Sequence, residues 1–119
     1  MNLGRLIEEL ERQKSGAWVM IDRSPIPLQP HAVDSYRGYY EQLAIACGPS
    51  REHSTKVGDL LTILREAVGK TFTGYKGGEY RMTESTPVWL AYYGETGTRC
   101  TGVRCDGECM VYLTWDADD

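Results

Sequence analysis

Val57, Leu60, Leu61, Leu64 and Val68 recur at helical spacing and stop at Gly69, and no comparable stripe follows downstream. Asp59, Arg65 and Glu66 take the opposite face, so the segment predicts an amphipathic helix with one buried side. Such a helix needs a second layer to cover its stripe, and everything downstream reads as strand. Glu79 to Met82, Pro87 to Tyr93, Thr98 to Cys105 and Glu108 to Trp115 are strand-like runs separated by polar turns. Asp106-Gly107 is the strongest short-range hairpin signal in the chain. Pro87 is tolerated because it opens its strand, where a missing N–H costs least.

Upstream, Leu3, Leu6, Ile7 and Leu10 predict a helix over about residues 2–14, with Asn2 as N-cap and Ser15-Gly16 as the stop. Ala17 to Asp22 reads as a short, largely buried strand. Pro25, Pro27 and Pro30 exclude a helix and a central strand between Ser24 and Pro30. Leu43, Ile45 and Cys47 alternate with Gln42, Ala44 and Ala46, the pattern of a strand with one face in the core. Ser54 or Thr55 is placed to cap the second helix. The chain shows no internal repeat, linker or low-complexity segment. The expectation is therefore a single α+β domain over 1–119, two helices packed on an antiparallel sheet with a C-terminal β-hairpin.

A chain of 119 residues is long enough to bury a core without a metal or disulfides. Hydrophobic residues at 41% and charged residues at 25% exclude wholesale disorder. Seventeen acidic residues against thirteen basic ones, a net charge of −4, argue against a nonspecific nucleic-acid binder. The amino terminus lacks the apolar run of a signal peptide and no stretch has transmembrane length, so the expected compartment is the cytoplasm. Eight tyrosines against one phenylalanine favour contact surfaces, although strands accommodate tyrosine equally well.

Two stretches concentrate the unusual chemistry. Gly69 to Tyr80 holds Tyr75, Lys76, Gly77, Gly78 and Tyr80 just past the end of a helix, and Tyr36, Arg37, Gly38 and Tyr39 form a second cluster of rings, cation and glycine. Guanidinium and tyrosine both stack, the guanidinium fork fits phosphate or carboxylate, and glycine amides form anion nests. A glycine-rich connector and a strand edge whose arginine stacks on its neighbours account for the same residues. The first stretch is not a phosphate-binding P-loop, because Gly69-Lys70-Thr71 follows its helix. Cys47, Cys100, Cys105 and Cys109 lack the paired spacing of zinc knuckles, and His31 and His53 have no evident nucleophile beside them. The reading is a non-enzymatic binding protein with no cofactor and no metal. Its partner is a small anionic ligand or a protein, without membrane association, and a homo-oligomer stays open.

Ser35-Tyr36-Arg37-Gly38-Tyr39-Tyr40, Val57-Gly58-Asp59-Leu60-Leu61, Gly74-Tyr75-Lys76-Gly77-Gly78-Glu79-Tyr80-Arg81-Met82 and Thr86-Pro87-Val88-Trp89 together resemble a group of small phage- and prophage-encoded proteins of uncharacterised function. The resemblance covers roughly residues 34–95 and brings no catalytic residues with it. It implies a phage accessory gene working in the host cytoplasm, of the kind that counters host defence. Its product would either sequester a nucleotide-like ligand or bind and block a defence effector such as a CRISPR nuclease complex.

Overall fold

The computed structural model describes residues 1–22, 27–35, 42–49, 55–73, 79–91, 98–107 and 109–117, without the side chains of 34, 35, 73, 80 and 117. In chain order they form α1 (Leu3–Glu11), β1 (Trp18–Ile21), β2 (Leu28–Ser35), β3 (Leu43–Pro49), α2 (Val57–Ala67), β4 (Thr71–Thr73), β5 (Glu79–Arg81), β6 (Val88–Ala91), β7 (Thr98–Asp106) and β8 (Met110–Ala117). One sheet has the order β1-β8-β7-β6-β3-β2, and β4 and β5 make a separate two-stranded ribbon.

The fold is α+β with two helices, as the sequence predicts, but the large sheet is mixed and not antiparallel. β6, β7 and β8 follow one another in the chain and pair antiparallel. β1 pairs parallel with β8 and β3 pairs parallel with β6. Parallel neighbours need a long crossover, and α2 with the β4-β5 ribbon supplies one between β3 and β6. Alternating hydrophobicity reports which face is buried and carries no information on strand direction. β2 is the second departure, since Leu28 to Pro30 belong to a strand and not to the proline loop. Pro30 opposes Cys47 beside a bulge on the outermost strand, where a residue without an N–H is accommodated.

Although β1 and β2 lie at opposite ends of the sheet order, the sheet curls until they touch. The carbonyl of Thr55 fills the seam, accepting the Val19 N–H at 3.0 Å and the Gln29 side-chain amide at 3.4 Å. The core lies within this curl: Leu3, Leu6 and Leu10 of α1 and Val57, Leu60, Leu61 and Leu64 of α2 pack with Val19, Leu43, Ile45, Val88 and Leu113. β3 has both faces covered, because Ala44 packs with Trp89 on the other side.

The two helices are docked by one repeated device. Asn2 bridges Pro87, and the first two helical amides of α1, Leu3 and Gly4, each donate at 2.8 Å to the carbonyls of Thr86 and Glu84. Lys56 bridges Trp18, and the first two amides of α2, Val57 and Gly58, each donate at 2.9 Å to the carbonyls of Ala17 and Ser15. The third orphan donor of α1 is taken by the Asn2 side chain, which accepts the Arg5 N–H at 2.9 Å. At α2 the capping residue is Lys56, in place of Ser54 or Thr55, and the Asp59 carboxylate accepts its N–H at 3.0 Å. Gly69 ends α2 in the left-handed region at φ 83, as its position predicts. Its carbonyl accepts the Arg81 Nε–H at 3.0 Å, which sets a cation at the negative end of the helix.

The C-terminal hairpin is present with a longer connection than Asp106-Gly107 suggests. Asp106 pairs with Met110, so Gly107 and Cys109 lie outside the ladder, with Gly107 at φ 74.

Candidate functional site

Of the residues singled out from the sequence, Tyr36, Arg37, Gly38, Tyr39, Tyr75, Lys76, Gly77 and Gly78 lie outside the described residues, as do His53 and the side chain of Tyr80. Tyr80 sits in β5 opposite Phe72 of β4. The stretch that opens as a glycine loop is therefore flanked by a paired ribbon, Thr71 opposite Arg81 and Thr73 opposite Glu79.

The strands that carry both segments are neighbours. β2, which ends at Ser35 just before Tyr36, lies against β4, which ends at Thr73 just before Gly74. Where they meet α2, His31, Ala32 and Val33 line a shallow depression of about 230 Å³ with Ile63, Glu66, Lys70 and Phe72. The Lys70 ammonium stands over the Phe72 ring, 5.3 Å from its centroid. The floor is apolar and the rim carries Lys70 and His31 against Glu66, an arrangement that suits a flat ligand with a negative end.

A second surface escapes the sequence reading. β1 was expected to be largely buried, yet Trp18 is 37% exposed and Met20 is half-buried, while Val19 and Ile21 face the core. Register places Trp18 beside Met110 and Met20 beside Tyr112, with Arg104 of β7 next to Tyr112. Arg104 stacks on the Tyr112 ring at 4.4 Å and donates to Asp22 at 2.8 Å, which holds its guanidinium more firmly charged than usual. The Lys56 ammonium lies 5.0 Å from the centre of the Trp18 ring. Tryptophan, tyrosine, methionine and arginine on one sheet face match the composition of protein interfaces. An all-apolar strand such as Trp18 to Ile21 gives no alternation from which to read its outward side.

The cysteines divide into two kinds. Burial pushes the thiols of Cys47 and Cys100 from 9.0 up to about 12. Cys105 and Cys109 are exposed free thiols near the hairpin tip, Cys105 donating to the Gly107 carbonyl at 2.9 Å. Among the described residues no three His, Cys, Asp or Glu side chains are grouped to hold a metal. At pH 8 a thiol with a pKa of about 12 is ionised in only about one molecule in ten thousand. Iodoacetamide is therefore expected to label Cys105 and Cys109 in the native protein and all four cysteines in denaturant, read by peptide mass spectrometry. Because the two buried thiols hold their protons to higher pH in the folded chain, their contribution to stability is intact below about 9 and is lost as pH rises toward about 12.

Comparison with family models, curated proteins and solved structures returns no match for this chain. Fold and surface define a small α+β protein, and among the described residues no helix is long and apolar enough to cross a membrane.

Proposed function

We propose that this is a non-enzymatic phage accessory protein that counters host defence by sequestering a small anionic, nucleotide-like ligand. Tyr36, Arg37, Tyr39, Tyr75, Lys76 and Tyr80 line its site. The observation that supports this reading is that β2 and β4, the strands leading into the two tyrosine-and-glycine segments, border one depression with Lys70 and His31 on its rim. Arg37 and Lys76 supply charge-assisted donors to the anionic end, and the tyrosines cover the planar part. Titration calorimetry against nucleotides and cyclic nucleotides tests it. Heat with at least one of them, abolished in Arg37→Ala and weakened roughly tenfold in Lys70→Ala, is expected. No heat with any ligand overturns it.

A second reading is a direct inhibitor that binds and sterically blocks a defence effector such as a CRISPR nuclease complex. It is favoured by the size of the depression, since about 230 Å³ falls below the roughly 300–1,000 Å³ of pockets that enclose small molecules. One stoichiometric protein recovered from host lysate, with no small molecule in mass spectra of the denatured sample, would decide for it.

A further inference from the structure

We infer that the outer face of β1, β8 and β7 is a homodimer interface, its occupant a second copy of this chain. Four chain segments place one row of side chains across this face. Lys56 bridges Trp18, Trp18 pairs with Met110, and Met110 pairs with Asp106. At about 4.8 Å per strand the row spans roughly 14 Å. It reads cation, tryptophan, methionine, anion. Lys56 and Asp106 are both exposed, and neither makes an ion pair among the described residues. The row beside it is Met20, Tyr112 and Arg104, and there Arg104 is already neutralised by Asp22 at 2.8 Å. The face thus has an apolar centre flanked by two opposite charges that make no ion pair among the described residues, the Lys56 ammonium lying over the Trp18 ring and the Asp106 carboxylate within electrostatic reach of Arg104.

That pattern is self-complementary. A two-fold axis lying above this face and parallel to its strands, over the midpoint between Trp18 and Met110, lays the partner's row antiparallel on this one. Each Lys56 then meets the partner's Asp106, and each Trp18 covers the partner's Met110. An isologous contact requires this reciprocity, residue i meeting j and j meeting i. A heterologous partner would have no reason to match a row whose two ends match each other. Seven side chains are few beside the roughly 20–30 residues a side of a standard interface, so the dimer is weak, with a dissociation constant on the order of micromolar. The face is separate from the β2-α2-β4 depression, and the inference stands whether or not that depression binds a ligand.

Sedimentation equilibrium of the full chain over a concentration series tests the inference. Wild type is expected to associate as a dimer. Lys56→Asp and Asp106→Lys alone each weaken the dimer by roughly tenfold, because each places like charges opposite one another at both ends of the row. The double reversal restores it, and Trp18→Glu abolishes it, with circular dichroism confirming that each variant is folded. A wild type monomeric throughout overturns the inference. So does a dimer insensitive to Trp18→Glu and to both single reversals, since another face would then be in use. If Lys56→Asp fails to fold because it perturbs the start of α2, Asp106→Lys and Trp18→Glu decide the matter alone.

Discussion

Leu64→Ala lowers the unfolding free energy by about 2–5 kcal/mol, among the largest single side-chain effects expected in this chain. Leu64 is 0% exposed in α2 and belongs to the cluster that joins both helices to the sheet. Truncation removes apolar surface from the interior and leaves a cavity that cannot readily close. α2 is pinned at its start by the Val57 and Gly58 amides on the carbonyls of Ala17 and Ser15, and at its end by Gly69 and Arg81. A helix held at both ends has little freedom to shift inward, which puts the cost above the lower bound. Urea unfolding checks it: with m near 1–3 kcal/mol/M, a loss of about 3 kcal/mol moves the midpoint down by roughly 2 M and leaves m unchanged. Trp18→Ala, at a site 37% exposed, should cost clearly less. A Leu64→Ala midpoint within a few tenths molar of wild type would mean that α2 is not part of the main cooperative core.

What could be read from the sequence follows from which physical signals are local. The stripe of α2, its stop at Gly69, the strand at Leu43 and the hairpin across Gly107 each leave a periodicity or a turn residue in consecutive positions, and each appears close to where it was expected. Non-local pairing leaves none. The parallel partnerships of β1 with β8 and of β3 with β6 join segments far apart in the chain, so short turns suggested a wholly antiparallel sheet. β2 was hidden because Leu28-Gln29-Pro30-His31 carries proline where strands carry β-branched residues. The outward side of β1 was hidden because Trp18, Val19, Met20 and Ile21 are all apolar. For the candidate site, the composition of the two clusters was legible. The neighbourhood of β2 and β4 was not, because it depends on the curl of the sheet and on α2 packing against β2.

The absence of an internal repeat also holds only at the scale at which repeats are usually sought. Leu3-Gly4-Arg5-Leu6-Ile7 and Val57-Gly58-Asp59-Leu60-Leu61 share an apolar residue, a glycine at the second helical position and two further apolar residues. Five positions are too few to stand out in a sequence. The docking hydrogen bonds give the similarity its meaning, since in both copies the second helical amide reaches a backbone carbonyl of a distant segment. At Gly4 the missing Cβ lets that segment come close.

The two glycines are nevertheless expected to respond in opposite directions to alanine. A Cβ at Gly4 would lie 2.9 Å from the Glu84 Cβ and 3.2 Å from its carbonyl oxygen, closer than side chains and backbone approach one another. A Cβ at Gly58 would meet only Ser15, at 3.4 Å from its carbonyl oxygen and 3.5 Å from its Cβ, which is ordinary contact. Alanine is worth up to about 1 kcal/mol over glycine in a helix. At Gly58 that gain is largely realised, so Gly58→Ala should be neutral to stabilising. At Gly4 the crowding pushes α1 away from the 83–86 turn, straining the Gly4 amide's 2.8 Å bond to Glu84 and the Leu3 amide's 2.8 Å bond to Thr86. Overpacking costs about 1–3 kcal/mol and a weakened hydrogen bond about 1 kcal/mol more, which together exceed the propensity gain. Gly4→Ala should therefore lower the thermal midpoint by several degrees, at roughly 4 °C per kcal/mol, while Gly58→Ala holds or raises it. Midpoints that move in the same direction in both variants would show that close approach at the first turn of α1 is not what requires glycine there.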